Sequence, residues 1–151
     1  MSKQANIEAQ KKMGEAINKG NLEELRNVMA PDVKDHDPAL DQGKGVDGFI
    51  KFFTEFRAAF PDLSIAVEDL VADEEQVAFA YTVTHQGNFL GIPPSGKKIK
   101  ARGLQISKFK DGKIVERWGS SDELGIMQQI GVIKPVRSVD APPAISGQRA
   151  S

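Results

Sequence analysis

The segment His85 to Lys97 reads His-Gln-Gly-Asn-Phe-Leu-Gly-Ile-Pro-Pro-Ser-Gly-Lys, and its two flanks decide the fold. Before it, Val77, Phe79, Tyr81 and Val83 alternate with Ala78, Ala80, Thr82 and Thr84, a strand with large side chains on one face and small ones on the other. After it, Ile99 to Phe109 and Lys113 to Trp118 flank Asp111-Gly112, the strongest short-range signal for a two-residue hairpin. The Gly- and Pro-rich segment is thus a loop between strands of an antiparallel set.

Upstream, Leu63, Ile65 and Val67 alternate with Ser64, Ala66 and Glu68, and Asp73-Glu74-Glu75 makes a turn, which adds one more strand. The first sixty residues have a helical period instead. Ile7, Met13, Ala16 and Ile17 share a face that Lys19-Gly20-Asn21 terminates. Asn21 and Glu24 are spaced as a capping box for a short second helix carrying Leu22, Leu25, Val28 and Met29, and Ala30-Pro31-Asp32 ends it. Val33 to Pro38 is a short extended segment. From Val46 to Phe60 the residues Phe49, Ile50, Phe52, Phe53, Phe56 and Phe60 wrap too much of a helix for one exposed stripe, so this helix should lie deep against the sheet until Pro61 stops it. Gly119 to Asp122 precede a closing helix, Glu123 to Ile130. Helices segregated to one side of an antiparallel sheet make an α+β domain over residues 1–134 with a cavity between the layers. The tail 135–151, with Pro135, Pro142 and Pro143, has no period and reads as a flexible extension.

Composition narrows the function. A chain of 151 residues with 40% hydrophobic content is one domain with one core. With 20 Lys+Arg against 21 Asp+Glu, it has no basic footprint for nucleic acid or an anionic membrane surface. The expected partner is a neutral, hydrophobic small molecule. Cysteine is absent, which removes disulfides, thiolate nucleophiles and Cys-type zinc sites. His36 and His85 show no metal-ligand spacing, and Gly43-Lys44-Gly45 lacks the strand-loop-helix context of a phosphate loop. No cofactor is called for. With no apolar leader or spanning run, a cytoplasmic location is expected.

The motif Thr-His-x-Gly-x-Phe-x-Gly-Ile-Pro-Pro from Thr84, then Asp-Gly-Lys-Ile-Val-Glu-Arg-Trp from Asp111 to Trp118, then Asp122, resembles the SnoaL-like polyketide cyclases of the nuclear-transport-factor-2-like superfamily. The resemblance runs over roughly residues 5 to 131. It implies a cone-shaped barrel built on a curved, mostly antiparallel sheet, a homodimer, and cofactor-free aldol cyclisation of a polyketide-derived ester by acid/base catalysis. The superfamily also holds isomerases, hydrolases, hydroxylase-like members and non-catalytic binding or dimerisation domains, so the fold alone does not choose among them.

In a regular hairpin at Asp111-Gly112, Phe109 faces Ile114, Ser107 faces Glu116 and Gln105 faces Trp118. The pleat then gathers Gln105, Ser107, Glu116 and Trp118 on one face, a mixture suited to a ligand pocket or, alternatively, to a solvent-facing ribbon. Tyr81 and His85, in phase on their strand, and Phe53 on the deep helix complete the expected lining. By the resemblance, the Trp118-x-x-x-Asp122 spacing places Asp122 as the catalytic acid/base; it could equally cap the closing helix. A carboxylate serves as a base near neutrality when an apolar pocket surrounds it, the reason to expect it at a cavity mouth. His36, between Asp35 and Asp37, matches a cavity-lining position of the family and could donate a proton to a ligand carbonyl. Several family cyclases set a second histidine on the strand before the Asp-Gly turn, where this chain has Ser107-Lys108, so either His36 or Lys108 takes that task or the chain catalyses a different reaction.

Overall fold

The structure, a computed structural model, describes residues 2–85 and 99–134. The loop 86–98, the side chain of His85 and the tail 135–151 lie outside the described residues. The order is α1 (Lys3–Lys19), a 3-10 turn (Leu22–Glu24), α2 (Leu25–Val28), β1 (Met29–Asp35), α3 (Gly45–Ala59), β2 (Ser64–Ala72), β3 (Gln76–His85), β4 (Ile99–Lys110), β5 (Lys113–Ser121) and α4 (Glu123–Gln129).

Local chemistry sets the helix ends. The Ser2 hydroxyl accepts from Ala5 N at 3.2 Å to begin α1, and Gly20, in the left-handed region, ends it. The capping box expected at Asn21 does not form: the Asn21 side chain makes no capping bond, and Glu24 instead accepts from Asn27 Nδ2 at 2.8 Å. A tight 3-10 turn there brings the chain round to β1 without a side-chain cap.

The five strands among the described residues form an open sheet in the order β1-β5-β4-β3-β2, antiparallel except where β1 runs beside β5. Along β3 the large residues pack inward as their alternation predicts, with Val77 fully buried. On β2 a bulge at Glu68 resets the pleat, so that Leu70 pairs with Phe79 and Ala72 with Val77. The displaced Glu68 accepts from the Thr82 hydroxyl and from Arg102 Nη2, bonds that hold its carboxyl below the usual range.

One face of this sheet carries the core: Ile17, Leu25, Phe49, Phe60, Val77 and Ile114 are among its buried members. Each such side chain contributes about 1.5–3 kcal/mol on burial. The Asn18 amide ties α1 to the sheet by acting as a strand edge, donating to Ile65 O at 3.0 Å and accepting from Ile65 N at 2.8 Å. At the far end, Ile126 of α4 packs on Ile99 and Ala101. Among the described residues no helix lies over the other face of the sheet, which exposes Leu104 and Val71.

Candidate active site

The β4–β5 hairpin starts as its turn residues dictate. Asp111 and Gly112 both take positive φ, of 50° and 78°, Lys110 pairs with Lys113 and Phe109 with Ile114. The register then slips. Val115 is an extra residue on β5, so Lys108 pairs with Glu116, Ser107 with Arg117, Ile106 with Trp118 and Gln105 with Gly119. The single expected face of Gln105, Ser107, Glu116 and Trp118 is therefore divided. Gln105 and Ser107 point inward, while Glu116 and Trp118 lie on the outer face, because one bulged residue exchanges the two sides of everything beyond it.

His36 joins that outer group. It follows β1, its backbone N–H donates to Arg117 O at 2.9 Å, and its ring stacks on Trp118 with centroids 4.3 Å apart and planes 4° from parallel. His36 Nε2 donates to Glu116 Oε2 at 2.8 Å, and Lys108 Nζ is 3.7 Å from the other Glu116 oxygen. The hydrogen bond from His36 holds the Glu116 carboxyl below the usual carboxylate range, against partial desolvation, with Lys108 adding to the effect. His36 and Lys108 are thus across the sheet from the inner face and are not among the residues lining the cavity on that face.

The inner face bounds a cavity of about 1050 Å³ between the sheet, α1 and α3. Phe49, Phe52, Phe53 and Phe56 of α3 supply an aromatic wall, with Phe52 and Phe56 stacked at 5.3 Å. The helix is less deeply buried than its apolar residues suggest, because these rings face the cavity. Tyr81 lies opposite Gly103, where an added Cβ would run into the phenol ring, so the missing side chain gives Tyr81 its place on the wall. Burial pushes the Tyr81 phenol above its usual range, with Arg117 acting in the opposite sense.

The polar end of the cavity is built around Arg117, which the bulge turns inward. Its Nη1 donates to Asp35 Oδ1 at 3.1 Å and to Asp37 O at 3.2 Å, and its Nε donates to Gln105 Oε1 at 3.2 Å. Gln42 Nε2 donates to Asp35 Oδ2 at 2.9 Å, Gln105 Nε2 donates to Ser107 Oγ at 3.1 Å, and Gly119 N donates to Asp37 Oδ2 at 2.9 Å. The Arg117 and Asp35 side chains are only 17% and 6% exposed, so neither charge can be stranded cheaply.

Of the residues expected from sequence, Phe53, Tyr81 and Gln105 line the cavity, and Ser107 is buried behind Gln105. Asp122 stands exposed at the head of α4, its Oδ1 accepting from Gly125 N at 2.8 Å, between two cavity-lining neighbours, Ser121 and Glu123. His85 is the last residue of β3 and pairs with Ile99. Arg117, Asp35 and Gln42 are the members that sequence reading missed. One signal could have found Arg117: the slipped register sets Lys108 opposite Glu116, a complementary pair, whereas the regular one leaves Lys108 opposite Val115. Among the described residues no three His, Asp or Glu side chains converge as a metal-ligand set.

A mixed sheet with helices on one face and an aromatic-walled cavity that holds a buried polar cluster is an architecture for holding a small organic molecule. Residues 7–130 match the SnoaL-like polyketide cyclase family, and the chain belongs to it. It is 25% identical over 134 residues to the aklanonic acid methyl ester cyclase DauD of Streptomyces sp. (strain C5), covering 83% of this chain and 81% of that protein. Among solved structures it is similar to IdmH from Streptomyces antibioticus, with 30% identity, a TM-score of 0.74, and coverage of 83% of this chain and 98% of that one. TsrD from Streptomyces laurentii superposes with a TM-score of 0.81 at 23% identity over 88% and 99% of the two chains, a likeness of fold. Among the described residues no helix is long and apolar enough to cross a membrane.

Proposed function

We propose that the protein is a cyclase that closes a ring in a hydrophobic, oxygenated small molecule by intramolecular aldol addition, on a polyketide-derived ester. The observation that carries this reading is the cavity with an aromatic wall and a buried polar cluster around Arg117, in a chain whose family and curated relatives are cyclases. The reaction is redox-neutral. A base removes a proton alpha to a carbonyl, the enolate carbon attacks a second carbonyl, and the alkoxide takes up a proton, so substrate and product have the same composition and acid/base groups suffice.

Asp122 is the proposed proton-transfer group. Its Oδ1 caps α4, which leaves its second oxygen for chemistry at a rim formed by Ser121 and Glu123. Aromatic walls fold the flexible chain so that the reacting carbons meet, and orientation of this kind lowers barriers by several kcal/mol, about 7–11 at its best. The uncovered face of the sheet, carrying Leu104, Ile106 and Val71, pairs two copies into a homodimer.

The direct test is incubation of the purified protein with aklanonic acid methyl ester, the compound named for its relatives, in deuterated buffer. A ring-closed product differing only by exchanged hydrogens, or exchange of the alpha hydrogens without closure, supports the reading. Neither closure nor exchange above the buffer rate, with this ester and with simpler keto esters, sinks it.

A further inference from the structure

Among the described residues that line the cavity, Arg117 is the one cation held in place below the surface. The other two lining cations, Lys11 and Arg102, are exposed, and Arg102 is paired with Glu68. Three acceptors fix the Arg117 guanidinium: the Asp35 carboxylate and the Asp37 carbonyl on Nη1, and the Gln105 amide on Nε. No described group accepts from Nη2. That nitrogen lies against Gly119, where an added Cβ would collide with it, so the glycine is what makes room for the guanidinium at the cavity wall.

A donor pinned on two of its nitrogens and left free on the third is preorganised, since it meets a ligand without giving up rotamer freedom or an existing bond. Asp35 and Asp37 set two carboxylates beside the one guanidinium, so the polar end disfavours a bound carboxylate ion and suits an uncharged oxygen acceptor. Away from this end the lining below the surface is aromatic or aliphatic except for Gln10, and the other polar lining residues are exposed. An elongated apolar ligand can therefore enter either way round, and this end, which holds the buried guanidinium, distinguishes the two orientations.

From this geometry we infer that Arg117, through Nη2, receives a carbonyl oxygen of the ligand and sets which end of an apolar molecule sits at the β1–β5 side of the cavity. The inference rests on the cavity being a small-molecule site, and it assigns the ligand-orienting role to a residue other than Asp122 or His36.

The test uses benzophenone and diphenylmethane, which share a carbon frame and differ by one carbonyl oxygen, with binding followed by calorimetry on the whole chain. Wild type should bind benzophenone about tenfold or more tightly than diphenylmethane, as a hydrogen bond from a charged donor predicts. Two variants should bring that ratio to about one, read within each variant so that any general change in affinity for apolar molecules cancels. Asp35→Asn with Arg117→Met removes both charges together and so leaves no unpaired ion. Gly119→Ala keeps both charges but occupies the space of Nη2, so the guanidinium must shift from its place at the wall. If wild type binds both probes equally, or the preference survives in both variants, Arg117 is not the carbonyl receptor, although the cavity still binds small molecules. If neither probe binds wild type, the small-molecule reading of the cavity fails as well.

Discussion

Ser107 lies opposite Arg117 across the β4–β5 ladder, and Glu116, its partner in a regular hairpin, points to the other side of the sheet. This one displacement divides the molecule's polar residues into two clusters. Arg117 enters the cavity with Asp35, Gln42 and Gln105, and Glu116 leaves it with His36, Trp118 and Lys108.

The inner cluster should behave as a coupled pair. Arg117→Met alone strands the Asp35 carboxylate and Asp35→Ala alone strands the guanidinium, each at a cost of about 3–5 kcal/mol. The double change Asp35→Asn with Arg117→Met should recover most of that loss, read as a large coupling energy in urea unfolding. Additive single and double effects would mean that the two side chains do not form a buried pair.

Much of the fold was legible because period and punctuation agree: the β3 alternation, Asp111-Gly112, Gly20 and Pro61 each mark a boundary close to where the structure has one. What could not be read was phase. A bulge adds one residue without any breaker, and nothing in Ile114-Val115-Glu116 marks it except the Lys108 charge it brings into register. The aromatic wall was visible as the excess of phenylalanine on α3, whereas Asp35 and Gln42 come from β1 and the loop after it and meet Arg117 only through the parallel β1–β5 pairing.

The outer cluster predicts an acid limb. Glu116 has its folded-state pKa depressed, chiefly by the His36 hydrogen bond, so its contribution is present above the unfolded glutamate value of about 4.3 and is lost as pH falls through the lower folded value. Glu116→Gln should flatten the decline of stability below about pH 4.3, and the emission of Trp118, the chain's single tryptophan, should report the loosened stack. An unchanged acid limb in that variant would show that the His36 bond does not form in solution.

Tyr81 gives the opposite sign at high pH. Burial raises its folded-state pKa, so its stabilisation is complete below the unfolded tyrosine value of about 10 and declines as pH rises from there through the folded value. Because it is the only tyrosine, phenolate absorbance reads it without assignment. The midpoint in native protein should exceed that in urea-unfolded protein, and coincident midpoints would place the phenol in water.

Leu104, at 64% exposure, and Ile106, at 41%, sit on the uncovered face of β4 in the middle of the sheet, where apolar surface is costly to leave wet. Sedimentation should give twice the 16.4 kDa chain mass. Leu104→Glu with Ile106→Glu should halve that mass while leaving far-ultraviolet circular dichroism unchanged. A wild-type mass of 16.4 kDa throughout the micromolar range would remove the dimer.

Asp122 is where stability and chemistry separate most cleanly, since one of its oxygens already has a structural task in accepting from Gly125 N at 2.8 Å. Asn caps helices about as well as Asp, so Asp122→Asn should shift unfolding by no more than about 0.5 kcal/mol, whereas Asp122→Ala should cost about 1 kcal/mol. Turnover tells the other half. If the second oxygen moves the substrate proton, both variants should lose about 10²–10⁴-fold in rate, the usual share of general acid/base catalysis, and the Ala variant should lose no more than the Asn variant. If the carboxylate only caps α4, Asn is silent in both assays and Ala lowers stability alone. An Asn variant with wild-type turnover would move the search for the base to the other carboxylates on the cavity wall, Glu15, Asp37, Glu55 and Glu123. Asp35, with both oxygens already bonded to Arg117 and Gln42, is the poorest of the alternatives.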